Sequence, residues 1–242
     1  MELRPGYREW APPRELRPAV SCLWTSVVAS AEPTVVLPDG CIDLIWQQGH
    51  GVFVAGPDTG PAPSALAAGT TLVGVRLRPG AGGPALGLPL TELCDQRVDL
   101  ADLRPELARR LPGDLSPGEA LRRLIAATAG LAAEGPPDRL VSHAARLFAD
   151  AGERTGEMAR GLGVSERQFR RRCLDAVGYG PKTLQRVLRF RRFVSRLDAA
   201  DGRLDLALVA AETGYADQAH LTRESVRLAG LPPTALARVR RG

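Results

Sequence analysis

Cysteine and histidine are scarce in this chain. Four cysteines, Cys22, Cys41, Cys94 and Cys173, stand among 242 residues with only three histidines. None of the cysteines forms a C-x-x-C pair, and no histidine lies close enough to complete a zinc ligand set. The expectation is four reduced thiols in or near the core, with no metal and no cofactor. The first half holds a single histidine, His50, whereas a metal-dependent β-barrel enzyme needs several with a carboxylate. Cys22, Cys41 and Cys94 also lack the clustering of a metal-activated repair methyltransferase. No catalytic constellation is left, and the chain reads as a non-enzyme. Long hydrophobic runs are missing too: no stretch approaches the roughly 20 apolar residues of a membrane span. Met1-Glu2-Leu3-Arg4-Pro5-Gly6 has no apolar run of the signal-peptide kind. A cytoplasmic protein with no membrane partner is expected.

What the chain does have is apolar bulk and an uneven charge. Hydrophobic residues make up 44%, enough to bury a real core. Residues 1–138 carry 12 basic against 16 acidic residues, and residues 139–242 carry 20 against 11. A basic C-terminal part suits an acidic partner, most commonly nucleic acid. A solvated basic face is the alternative on charge alone.

The textures of the halves differ as well. Thr34–Leu37, Cys41–Trp46, Gly51–Ala55 and Thr71–Leu77 are short, β-branched and bounded by Pro-Asp-Gly, Gly-Pro-Asp and Arg-Pro-Gly turns. A small β-sandwich or barrel follows. From about residue 84 the pattern turns helical. Ser116-Pro117-Gly118-Glu119 is a capping box with Pro at the first helical position. It opens a helix, 116–133, with Leu121, Leu124, Ile125, Thr128 and Leu131 on one stripe. That helix packs on the strand-rich unit or forms a homodimer seam. Gly135-Pro136-Pro137 breaks the pattern, so the chain divides into 1–133, a linker at 134–138 and 139–242. The fold class expected is α+β: a β-rich, barrel- or sandwich-like N-terminal domain with helices, then an all-α domain.

Two helix-turn-helix units are legible in the second part, at about 155–177 and 205–229. In the first, a short helix near 156–161 is followed by Gly163, where a sharp turn needs positive φ. Ser165 then caps a second helix, with Gln168 completing a capping box. At 100° per residue, Phe169, Cys173 and Ala176 share one stripe, while Arg167, Arg170 and Arg171 face the other way. An apolar back and a basic front are what a recognition helix needs, since Arg bonds bidentately to guanine or holds a phosphate. Arg172 lies beside the stripe. In the second unit Asp205 caps one helix, Gly214 makes the turn and Asp217 caps the next. The exposed face carries Gln218, Ala219, His220, Thr222 and Arg223. Pro181 opens a long connector through about Leu197 that bears Arg186, Arg189, Arg191, Arg192 and Arg196. Pro232-Pro233 opens a last helix.

These residues resemble the AraC/XylS family of bacterial transcription regulators. The most specific stretch is Gly214-Tyr215-Ala216-Asp217-Gln218-Ala219-His220-Leu221-Thr222-Arg223, followed by Leu228-Ala229-Gly230-Leu231-Pro232-Pro233. Met158–Val177 and Gly180-Pro181 look like the same family. The resemblance covers about residues 140–242 and implies a seven-helix double helix-turn-helix domain on double-stranded DNA. Base-facing residues carried over by position are Arg167, Arg170 and Arg171, then Gln218, Ala219, His220, Thr222 and Arg223; the DNA-binding set also takes in the cap residues Ser165 and Gln168, and Arg172, which supports the helix or meets the DNA backbone. One departure stands out: Ser225 replaces the family's usual apolar residue, and Val226 follows it. Ser225 should point inward and bond back to the Leu221 carbonyl.

Leu37-Pro38-Asp39-Gly40-Cys41-Ile42-Asp43-Leu44, Val54-Ala55-Gly56 and Val73–Gly80 resemble an uncharacterised β-rich domain fused to such regulators. By that analogy this half senses a small-molecule effector or forms a homodimer. Trp10, Trp24, Trp46, Phe53 and Arg76, with Tyr7, are the candidate lining of an effector pocket; core packing is the alternative. RNA polymerase is the expected partner if the protein activates. The competing readings are an enzyme or an interaction adaptor that uses the helical domain only for docking.

Overall fold

Pro38-Asp39-Gly40 makes the turn its composition predicts. Gly40 adopts φ +82°, costly for any residue with a Cβ, and Asp39 accepts the Cys41 N–H at 2.9 Å. The computed structural model describes residues 6–150, 155–200 and 205–241. Its first half holds the strands β1 (Gly6–Trp10), β2 (Val20–Val27), β3 (Thr34–Val36), β4 (Ile42–Gln47), β5 (Gly51–Ala55), β6 (Ala62–Ser64), β7 (Thr71–Leu77) and β8 (Arg97–Asp99). Six of them form one antiparallel sheet in the order β1-β2-β7-β4-β5-β8, and β3 pairs with β6 in a separate ribbon. β1, β2, β6 and β8 were not among the strands expected. β8 lies in a stretch that reads as helical, and its three residues become a strand by pairing with the edge of β5, Val54 opposite Val98.

The sheet has two unlike faces because strand side chains alternate. Leu44, Trp46, Val54, Val73, Val75 and Leu77 point to a core shared with the helices α1 (Gly82–Leu86), α2 (Leu100–Leu103), α3 (Pro105–Ala108) and α4 (Pro117–Glu134). α4 opens with half of the expected capping box: Ser116 accepts the Glu119 N–H at 3.3 Å, while the Glu119 carboxylate turns to Arg123. The helix buries Ala120, Leu124 and Leu131 in that core, with Thr128 also buried, so one face of α4 packs on the strand-rich unit. Each such buried leucine contributes about 1.5–3 kcal/mol. The other sheet face carries a smaller cluster of Cys22, Trp24, Ile45, Ala55 and Leu72, joined by Phe53 and Leu66. Trp24 covers Gly74, where a Cβ would come to 2.0 Å from the indole ring.

The second half folds around its own core. Its helices are α5 (Arg139–Asp150), α6 (Thr155–Gly161), α7 (Glu166–Val177), α8 (Pro181–Asp198), α9 (Leu206–Glu212), α10 (Gln218–Ala229) and α11 (Pro233–Arg241). Phe148, Phe169, Phe190 and Phe193 fill the middle, all essentially without solvent exposure. α8 is the axle. Its face of Leu184, Val187, Leu188, Phe190, Phe193 and Leu197 is buried.

The halves meet along a close-packed seam. A Cβ on Gly83 would lie 2.3 Å from the Asp175 carbonyl oxygen of α7, and one on Gly135 would lie 1.8 Å from the Pro84 oxygen. Gly40 faces Leu184 and Leu188 of α8. The segment 134–138, read as a linker, is thus held down: the Asp138 N–H donates to the Gly80 carbonyl at 2.8 Å, and its carboxylate accepts the Val141 N–H at 3.0 Å.

Candidate nucleic-acid interface

α6, a short turn and α7 form the first unit. Gly163 turns the chain at φ +68°. The capping box closes both ways: Ser165 Oγ accepts the Gln168 N–H at 3.2 Å, and Gln168 Oε1 accepts the Ser165 N–H at 3.0 Å. Phe169, Cys173, Ala176 and Val177 are buried. Arg167, Arg170 and Arg171 are exposed and make no hydrogen bond or ion pair to another described residue. With Gln168, Lys182 and Thr183 they line a groove of about 900 Å³. Ser165 and Gln168 are placed beside this face but are partly committed to the cap. Arg172, beside the apolar stripe, is engaged within the chain. Its Nε and Nη2 each donate to the Asp138 carboxylate at 2.7 Å, because its position beside the apolar stripe turns it toward the seam.

The second unit is α9, a turn at Gly214 with φ +80°, and α10. Asp205 accepts the Ala207 and Leu208 N–H groups, and Asp217 accepts the His220 N–H at 2.6 Å. Gln218, Ala219 and Arg223 are exposed. Thr222 donates its hydroxyl to the Gln218 carbonyl at 2.9 Å, leaving its methyl and the acceptor side of its oxygen free. His220 turns back on its own helix start: Nδ1 accepts the Ala216 N–H at 3.4 Å, and the ring stands edge-on to Tyr215 with centroids 5.3 Å apart. A helical position on the outer face does not fix where a long ring points, and here the neighbouring Tyr215 captures it.

Ser225 points inward as expected, fully buried, with Val226 exposed. Its hydroxyl bond, however, runs forward to the Leu231 carbonyl at 2.7 Å, not back to Leu221. The turn after α10 offers a carbonyl that the helix has not already used. The hydroxyl therefore fastens the end of α10 to the entry of α11, and the departure from the family pattern is an anchor of a different kind.

Four of the connector's five arginines are engaged inside the domain, and Arg191 is exposed. Arg186 grips Glu224 of α10 bidentately at 2.8 and 2.7 Å. Burial pushes the Glu224 carboxyl up, but the Arg186 guanidinium more than reverses this and holds it below its usual value. Arg196 pairs with Glu212 of α9 at 3.1 Å, and Asp198 with Arg240 of α11 at 2.6 Å. Arg192 donates to the Phe148 carbonyl at 2.9 Å, and Arg189 lies over the Tyr215 ring, 5.5 Å from its centre. The exposed basic groups left on α7 and α10 are those on the outer faces.

The five residues offered as an effector pocket are not brought together. Trp46 is wholly buried in the larger core, its indole N–H on the Pro112 carbonyl at 2.8 Å, and Trp10 packs against the same core. Trp24, Phe53 and Arg76 occupy the opposite sheet face. Trp24 donates to Asp43 at 2.6 Å, and Arg76 reaches Asp43, Asp39 and Glu9 at 3.2–3.5 Å. Burial, with Asp39 adding to it against the pull of Arg76, pushes the Asp43 carboxyl up to about 6. Sequence reasoning missed Asp43 in this cluster, although its period-two offset from Ile42 and Leu44 places it off the core face. Among the described residues no group of three His, Cys, Asp or Glu is placed to hold a metal, and no helix is long and apolar enough to cross a membrane.

Residues 8–99 match the family described as a domain of unknown function (DUF6597), and residues 158–238 match one described as a helix-turn-helix domain. No curated protein matches the chain. Among solved structures it is similar to ToxT from Vibrio cholerae, at 10% identity over 91% of this chain and 99% of that one, with a TM-score of 0.50. ToxT from Vibrio cholerae O395 gives 9% identity over 91% and 98%, with a TM-score of 0.49. Unsaturated fatty acid bound ToxT from strain SCE256 gives 10% over 88% and 93%, with a TM-score of 0.45. At this identity the likeness is one of fold.

Proposed function

We propose that this chain, a DNA-binding regulator with an AraC-type helix-turn-helix domain over residues 158–238 behind a DUF6597 domain over residues 8–99, lays α7 and α10 into successive stretches of one major groove. The observation that carries this is the pairing of two capped helices with exposed outer faces on a single axle, α8, which grips α10 through Arg186 and Glu224. Arg167, Arg170 and Arg171 make the base or phosphate contacts of the first helix. Gln218, Ala219, Thr222 and Arg223 make those of the second. Ser165 and Gln168 hold the cap beside the groove, while Arg172 and His220, engaged internally, orient rather than read. The two sites should lie about 34 Å apart, one turn of DNA.

The same proposal makes residues 1–133 the sensing or dimerising part, 134–138 the connection and 139–242 the reader. AraC-type regulators are generally non-enzymatic; we read this one as a non-enzyme working in the cytoplasm. It answers to a small-molecule effector and recruits RNA polymerase where it activates. The packed seam against α7 supports control from the N-terminal side.

The test is to sequence the DNA fragments that the full chain retains and to repeat the binding with Arg170→Ala and Arg171→Ala. Each substitution should cost roughly 1–3 kcal/mol of specific affinity if the contact is bidentate to guanine. Unchanged affinity in both variants overturns the assignment of α7. An affinity that does not fall as salt rises overturns DNA as the partner altogether.

A further inference from the structure

A half-open cavity of about 670 Å³ lies between α3 and the later turns of α4, at the rim of the larger core, which supplies its Leu111 and Leu131. Its size falls within the roughly 300–1,000 Å³ of ordinary small-molecule sites. The floor is aliphatic, built from Leu103, Leu107, Ala127 and Leu131. Three arginines and two glutamates line it, but all except one are already met. Arg104 faces Glu134 at 3.6 Å and donates to the Leu86 carbonyl at 3.0 Å. Arg123 pairs with Glu119 and donates to the Arg110 carbonyl at 2.9 Å. Glu106 pairs with Arg109. The guanidinium of Arg110 makes no hydrogen bond or ion pair to another described residue. The cavity therefore pairs an apolar bed with a single uncompensated positive charge.

We propose that this cavity binds a small organic acid with an aliphatic body, its carboxylate on Arg110 and its chain along Leu103, Leu107 and Leu131. This rests on the effector reading above and gives it a place and a ligand class. It also has a physical route to DNA. The Arg104 wall holds the C-terminal end of α1 through the Leu86 carbonyl. Gly83 of that same helix abuts α7. At the other wall α4 ends at Glu134, Gly135 presses on Pro84, and Asp138 holds Arg172 of α7. An occupant that spreads α3 from α4 pulls on both attachments of the first recognition helix.

The experiment is calorimetric titration of the full-length protein with decanoate and, as the charge-reversed probe, decylamine. Decanoate should bind once per chain and at least tenfold more tightly than decylamine. Arg110→Glu should weaken decanoate tenfold or more. Gly130→Trp should abolish its binding by filling the cavity, because a Cβ there meets nothing within 4 Å and the backbone need not move. Both variants should keep the wild-type melting temperature and, without ligand, the wild-type operator affinity. Equal binding of decylamine, or decanoate binding that survives Gly130→Trp, overturns the site. So does no decanoate binding by the wild type. Operator affinity is measured separately, so failure of the cavity and failure of the DNA reading give different results.

Discussion

Single hydroxyls and carboxyls decide more here than their size suggests. Ser225 is the only polar side chain on the buried stripe of α10, and its bond to the Leu231 carbonyl is internal. Ser225→Ala removes the donor and strands that carbonyl, at a cost of about 1–2 kcal/mol. Urea unfolding should show it as a lower midpoint with an unchanged slope; an unchanged midpoint denies Ser225 its anchoring role. Asp43 makes a prediction in pH. Its folded carboxyl titrates at about 6, above the roughly 3.9 of an unfolded aspartate. Between those values the folded chain holds the extra proton, so this group's contribution to stability is full at pH 4 and is lost as pH rises through 6. Asp43→Asn should gain on the wild type from pH 4.5 to pH 7 in chemical unfolding. A constant difference across that range speaks against the raised titration.

At the scale of elements, what was legible followed from local chemistry. Ser165 with Gln168, Asp205, Asp217 and Pro181 mark helix starts by rules that need no tertiary partner, and α7, α8, α9 and α10 begin where those residues stand. β8 was hidden because Arg97-Val98-Asp99 becomes a strand only beside β5. The proposed aromatic pocket dissolved for a related reason: which face a tryptophan takes depends on strand register, and Trp24 and Trp46 fall on opposite sides of one sheet. The seam was equally invisible, since a glycine in sequence does not say whose backbone approaches it. Gly83 supplies the test. Gly83→Ala sets a methyl against the Asp175 carbonyl, and overpacking of this kind costs roughly 1–3 kcal/mol. Its melting temperature should fall and α1 should separate from α7. A variant as stable as the wild type shows that the seam yields.

For the molecule as a whole, rigidity is the prediction. α8 is clamped to α10 by Arg186, to α9 by Arg196 and to α11 by Asp198 and shares one buried core with α7, so the two recognition helices should move as one body. Inserting five base pairs between the operator's half-sites places them on opposite faces of the duplex, since a full turn takes about 10–10.5. Affinity should then fall by about 10²–10⁴, the whole gain from linking two modules. A ten-base-pair insertion should lose as much, because α8 does not stretch. If electrophoretic mobility shifts show full affinity for either spacer, the connector is not the ruler it resembles.

The glycine-lined seam also bears on how such proteins can be recombined. The Gly-Pro-Pro stretch at 135–137 invites a cut there to graft another sensor onto residues 139–242. Yet Gly83 and Gly178 make room for particular backbones across that join, α7 at the one and Leu90 at the other, and Asp138 is bonded on both sides of it. A foreign partner with ordinary side chains at those points would wedge the graft apart. In a hybrid regulator, the unit of inheritance is therefore not the reader alone but the reader together with the segment 80–93 that it was fitted to.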